Sequence, residues 1–409
     1  MTFSSEIILD FAVIMTIAGI VAFLFHRLKQ PLILGYLIAG VIIGPYSPPF
    51  SLISGPEVLN AVADLGVILL LFGVGLEFPL AKLRTIGLKV YVGISLIEIA
   101  LMFIVSYAVG YLLHWPFMDS LFLGAALASS STVVIAKVLT DMGKLKDTSA
   151  LVMMGVLVAE DLIVVLILSL IPSIVGTSSF TTSEIVWSIG KILLFMFGTL
   201  AIGMMIIPRI IDWISHKERE EHIEQKGYDE VLVLVALGFC FGLSVLTNLM
   251  GLSIAIGAFL MGVIIAGAKS AGRVGFLTSR IKDMFGAMFF VSMGAFIDIT
   301  QFREFLIPAL IVTVIMILVK VVGCGLGTRI FGYNLSTSVK VGLGMGQIGE
   351  FAFIVAKTGQ DLNVISSFLF PTIGVAVAIT TFLTPYMVNL SYKINPDRWP
   401  IFLKRHLSR

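Results

Sequence analysis

Lysine and arginine fall almost entirely on one side of this chain once its apolar runs are laid out as membrane crossings. There are about thirteen such runs, and most approach the ~20 residues that span a ~30 Å hydrocarbon layer. Connections between runs alternate between two sides. One side receives nearly all of the 27 Lys and Arg residues, and the other receives only Arg303. Lys191, Lys320 and Lys357 lie within or at the ends of runs. A missed or extra crossing would scramble this pattern. The asymmetry therefore supports the count, and it places the N-terminus outside and the C-terminus in the cytoplasm of a multi-pass plasma-membrane protein. The first run, 7–25, lacks a basic leader and a small-residue cleavage site, so it reads as a retained helix.

Composition narrows the function classes. Hydrophobic residues make up 58% of the chain and charged residues 13%, against roughly 25% charged in soluble domains. The lipid bilayer is the expected surroundings, and no nucleic-acid surface is expected. Cys240 and Cys324 lie in apolar runs and read as small core residues. The five histidines are dispersed. No His/Cys metal spacing, nucleotide-binding loop or Ser/His/Asp set stands out, so neither a cofactor nor an enzyme activity is expected.

The sixth run, Leu151 to Leu170, carries Glu160 and Asp161 side by side. Burying one carboxylate at bilayer depth costs about 2.5–3.5 kcal/mol on insertion scales. Two adjacent acids roughly double that cost and repel each other. Such a pair implies a wet cavity and an ion or proton site. Three further charges lie inside runs: Lys320, Glu98 and Glu350. Lys320 is the natural counter-charge for the acid pair, because an isolated buried ammonium would deprotonate; a purely structural counter-ion is the alternative. Consecutive helical residues point about 100° apart, so one acid can face Lys320 while the other faces a cavity. Glu98 is read first as a helix-end hydrogen-bonding group and next as a supporting group of the site, and Glu350 as either. Asp64, Glu77, Lys191 and Lys357, near run ends, read as snorkelling. The charged stretch His216 to His222, within loop 208–228, reads as a solvated surface or a short interfacial helix.

The chain also resembles itself. Gly40-Val-Ile-Ile returns as Gly262-Val-Ile-Ile, and Ile68 to Arg84 parallels Ala287 to Arg303. Seven crossings separate the partners, an odd number, so the copies run in opposite directions. Two inverted six-helix repeats joined by a linker helix are a hallmark of secondary transporters. The repeat pairs the fifth run with the twelfth, and both contain poor helix material. The fifth has Ser129-Ser130-Ser131-Thr132, whose hydroxyls compete for backbone bonds. The twelfth has Gly342, Gly344, Gly346, Gln347 and Gly349 before Glu350. Two discontinuous crossing helices are expected there, offering carbonyls to a cation and helix N-termini to a carboxylate.

Together, Leu34 to Pro45, Leu69 to Glu77, Ser129 to Val134, Phe289 to Gly294 with Asp298, and Gly346 to Phe353 resemble the monovalent cation:proton antiporter-2 family. That family includes Kef-type potassium efflux systems and NapA-type sodium/proton antiporters. The resemblance implies an all-α, thirteen-helix NhaA/NapA-like fold, a homodimer, and a core that moves against a scaffold. Scaffold helices would lie in 1–80 and 228–297, and core transport helices in 81–183 and 298–388. A linker helix and loop would occupy 184–227, and a cytoplasmic tail 389–409. The resemblance also implies exchange of monovalent cations (Na+ favoured, K+ or Li+ next) for H+ in pH homeostasis. It makes Asp161 the ion-binding aspartate and Glu160 the partner of Lys320. It sets Ser130, Ser131 and Thr132 at one unwound crossing and Gln347, Gly349 and Glu350 at the other. The pair here is Glu-Asp, where sodium members often have Asp-Asp and potassium-efflux members Gln-Asp, so the pair by itself names neither ion. The chain ends at Arg409, and no regulatory nucleotide-binding domain is expected in it. A gated potassium pathway is the second reading; a filter such as Thr-Val-Gly-Tyr-Gly is absent from the sequence.

Overall fold

A computed structural model describes residues 3–28, 30–47, 52–53, 56–77, 88–175, 182–220, 225–250 and 252–394. Among these residues the regular structure is helical, with no strand. The first half contains α1 (Phe3–Arg27), α2 (Leu32–Ile43), α3 (Pro56–Leu76), α4 (Leu88–Leu112), α5 (Phe117–Leu127), α6 (Thr132–Asp141) and α7 (Thr148–Val175). Helix α8 (Thr182–Glu220) follows. The second half contains α9 (Gln225–Leu249), α10 (Ile254–Ala266), α11 (Ala271–Ala295), α12 (Phe302–Ile330), α13 (Leu335–Gly344), α14 (Phe351–Asp361) and α15 (Leu369–Lys393). Among the described residues, nine helical spans are long and apolar enough to cross a membrane, with Phe117–Asp141 taken as one span.

Two expectations from hydropathy need correction. The short apolar helices are α2, which is the second run as expected, and α10, which is the ninth run and not the tenth. The tenth run, 283–297, is only the apolar end of α11, which starts at Ala271. Arg273, Arg280 and Lys282 populate its first half, so apolarity alone truncates it. The supposed loop 208–228 is likewise largely helix. Pro208 sits inside α8, which continues to Glu220. Asp212 on α8 accepts hydrogen bonds from the Lys269 and Ser270 amides at 3.1 and 2.9 Å, tying that end of α8 to the start of α11. Residues 221–224, including His222, lie outside the described residues, as do Lys82 and Arg84.

The self-similar segments pack crosswise on each other. Helix α2 lies on α11, and α3 lies on both α10 and α11. A Cβ added to Gly40 would sit 2.8 Å from Gly294 Cα, and one added to Gly262 would sit 2.8 Å from Gly75 Cα. Gly40 and Gly262 are equivalent in one matched motif, and Gly75 and Gly294 in the other. Each motif thus meets the copy of the other motif from the opposite half of the chain. Glycine is required because these backbones touch, the small-residue packing that replaces the hydrophobic drive between helices in lipid.

Two smaller buried clusters flank a larger one. One buried cluster, with Ile14, Ala39, Leu59, Val62, Met288 and Val291, is confined to α1, α2, α3, α11 and the segment before α3. Another, with Tyr91, Ile135, Met153, Cys324, Val341 and Val388, is confined to α4, α6, α7, α12, α13 and α15. A larger cluster containing Phe72, Phe122, Phe259 and Phe353 joins the two.

Candidate functional site

Both weak stretches are breaks. Helix α5 ends at Leu127 and α6 begins at Thr132; α13 ends at Gly344 and α14 begins at Phe351. Ser131 caps α6, its hydroxyl accepting from the Val134 amide at 3.4 Å. The two breaks bond to each other. The Gly349 amide donates to the Ser129 carbonyl at 3.0 Å. The Ser131 amide donates to Gln347 Oε1 at 2.9 Å, and Gln347 Nε2 donates back to the Ser131 carbonyl at 3.3 Å. A Cβ on Gly349 would lie 2.6 Å from the Ser130 carbonyl carbon, so the crossing closes only around glycine. Backbone groups that lose helical partners here recover them across the crossing.

Lys320, from the middle of α12, reaches this crossing with no exposed surface. Its Nζ donates to Ser130 Oγ at 2.9 Å and to the Ala128 carbonyl at 3.1 Å. It also pairs with Glu98 Oε1 of α4 at 3.2 Å and with Glu160 Oε2 of α7 at 3.7 Å. Glu98 is therefore not a helix-end group: it lies mid-helix and is the nearer of the two acids. Gly323 on α12 makes room, since a Cβ there would come 3.1 Å from Glu98 Cα. The signal was present in the sequence as a third charge inside an apolar run. The expected offer of carbonyls to a cation is modified too, because the Ala128 carbonyl is taken by the lysine.

Asp161 bonds to α6. Its Oδ2 accepts from Thr132 Oγ1 at 3.3 Å. Its Oδ1, like Glu350 Oε2, is buried and accepts no hydrogen bond among the described residues. Glu350, directly before α14, and Glu160 are the carboxylates within electrostatic reach of Asp161. On the other side of the crossing, Thr380 of α15 accepts from the Ile348 amide at 3.3 Å. The site thus brings Glu98, Glu160, Asp161, Ser130, Ser131, Thr132, Lys320, Gln347, Gly349 and Glu350 to one crossing. Two buried carboxylates, Glu98 and Glu160, pair with a single lysine, and a third, Asp161, is bonded to Thr132 instead.

The charges near run ends behave differently. Glu77 pairs with Lys282 at 2.9 Å. Lys357 does not snorkel freely; its side chain is buried and bound to acids on two helices. Nothing is described for the Lys191 side chain.

Broken helices crossing beside buried charges in an apolar bundle are the arrangement of secondary transporters. The profile of the transmembrane sodium/hydrogen exchanger family matches residues 12–389, and the chain belongs to that family. It is 32% identical to the Na(+)/H(+)-K(+) antiporter GerN of Bacillus cereus, over 95% of this chain and 96% of that one. It is 29% identical to K(+) efflux antiporter 5 of Arabidopsis thaliana over 94% of this chain, which spans 66% of that longer protein. The sodium proton antiporter MjNhaP1 of Methanocaldococcus jannaschii shares the fold, with a TM-score of 0.69 at 20% identity over 93% of this chain and 95% of that one.

Proposed function

We propose that this chain is a secondary antiporter that exchanges a monovalent cation, Na+ in preference to K+, for protons by alternating access. The observation that carries the reading is the surplus of buried carboxylate over lysine at the crossing. Lys320 compensates one charge, and Glu98 and Glu160 share it. Asp161 is left to be neutralised by a proton or by a cation. Either one removes the penalty on a bare carboxylate in the membrane. They compete for the same oxygens, so loading one expels the other, and that competition couples the two fluxes. Thr132 holds Oδ2 and leaves Oδ1 to the ion.

The division of the apolar core supports a scaffold of α1–α3 with α9–α11 and a moving bundle of α4–α7 with α12–α15. Helix α8 links them, and the scaffold is the homodimer surface. Among the described residues, counting each broken pair once leaves thirteen helical spans, which supports thirteen crossings. The crossed glycine contacts support the inverted repeat, and the Lys and Arg bias supports an N-terminus outside and a C-terminus in the cytoplasm. A second reading is a gated potassium pathway without obligatory proton exchange. Proteoliposomes carrying a pH dye and titrated with Na+ and K+ decide between them. Cation-driven proton movement supports antiport; cation conductance without proton movement sinks it.

A further inference from the structure

We propose that Lys357 is a reversible ionic latch between the two bundles, released each time the moving bundle shifts; this rests on the antiport reading above. Lys357 lies on α14, and its partners belong to two bodies. On its own helix, Asp361 accepts at 3.0 and 2.9 Å, one turn away. Across the seam, on α3, Asn60 Oδ1 accepts at 3.2 Å and Asp64 Oδ1 lies at 3.5 Å.

That split is what a latch needs. If α14 moves away from α3, Lys357 loses Asn60 and Asp64 but keeps Asp361, so the buried ammonium is never left without a counter-charge. The acids are half exposed while the lysine is 7% exposed. Pairs with an exposed partner are weak enough to open repeatedly. The acids border a cavity of about 370 Å³ between α3, α9, the start of α10 and α14, and this cavity gives room for separation. Lys320 is the contrast: α4, α7 and the α5–α6 break supply all its partners, and these lie in one bundle. One turn along α14 from the latch, Phe353 meets Phe290 of α11 edge-on at 6.2 Å. Such contacts can slide, whereas the lysine fixes one register.

The test uses the full chain in proteoliposomes. Asp64→Cys and Lys357→Cys are combined and joined by a short, reducible bis-thiosulfonate linker; Cys240 and Cys324 are buried. Cross-linking is expected to abolish cation-driven proton movement, and reductant to restore it. Undiminished exchange by the cross-linked protein overturns the latch. Asp64→Asn, which leaves Lys357 its own-helix partner, is expected to change the apparent cation KM at least threefold with an unaltered melting temperature. An unchanged KM and rate overturns the proposal as well. Wild-type liposomes separate the two levels: no exchange there sinks the antiport reading and the latch with it, while exchange that survives cross-linking sinks the latch alone.

Discussion

Glu98 and Lys320 meet at 3.2 Å in the protein interior, 222 residues apart in the chain. The pair lies next to the crossing of the two breaks, because Lys320 also donates to Ser130 Oγ and to the Ala128 carbonyl. The first half of the chain contributes the acid and the second half the base.

Removing the lysine leaves two acids buried without compensation. Lys320→Ala is expected to destabilise the protein by about 3–5 kcal/mol, the range for breaking a buried pair. Lys320→Met combined with Glu98→Gln is expected to recover part of that loss, because it removes charge from both sides. Thermal unfolding in detergent reads both variants. Equal melting temperatures for wild type and Lys320→Ala would show that the pair carries no stability.

Asp161→Asn keeps the shape of the side chain and its contact with Thr132 but removes the titratable charge. Cation-driven proton movement in proteoliposomes is expected to fall to the level of empty liposomes, with the melting temperature held or raised. Full activity in this variant would move the ion site elsewhere.

Proton and cation share the Asp161 carboxylate, which sets the sign of the pH effect. As pH falls, a larger fraction of the carboxyl is protonated and closed to cation. The apparent KM for Na+ should therefore rise toward acid and fall toward alkaline pH, while the rate at saturating Na+ changes less. Measuring KM across pH 6 to 9 checks this; a KM independent of pH argues against competition at one group.

Gln347 ties the two breaks through both of its amide atoms. Gln347→Leu orphans the Ser131 amide and carbonyl, and an unsatisfied buried polar group costs roughly 1–3 kcal/mol. Lower thermal stability and a higher cation KM are expected together, because Ser130 and Thr132 flank the loosened residue. Gln347→Glu keeps an acceptor for the Ser131 amide and is expected to lose less.

Gly294→Ala and Gly262→Ala probe the crossed contacts of the two halves. Each added methyl enters backbone, and overpacking of this kind costs about 1–3 kcal/mol. Similar losses of melting temperature in the two variants would show that the two crossed contacts are equally tight; a neutral result at either site would show that the helices can part there.

Much of this architecture is legible in one dimension. Lipid forces each crossing to satisfy its own backbone and to be apolar, so the crossings appear as runs and their orientation as Lys and Arg bias. The breaks were visible as Ser129–Thr132 and Gly342–Gly349 because hydroxyls and glycines weaken helices locally. The helix ends of α8 and α11 were not, since a helix that leaves the apolar layer keeps its backbone bonds but loses its hydropathy signal.

The amino-acid sequence alone determined that the chain is a bundle of membrane helices, that two of them break, and that Glu160, Asp161 and Lys320 are too costly to bury without purpose. Only the tertiary structure decided which charges face one another. Glu98 became Lys320's nearer partner, Asp161 was left with Thr132 and a free oxygen, and Lys357 was placed between acids of α3 and α14. Propensity and hydropathy are properties of neighbours along the chain. Charge compensation depends on distance in space, and here it joins residues that the sequence keeps far apart.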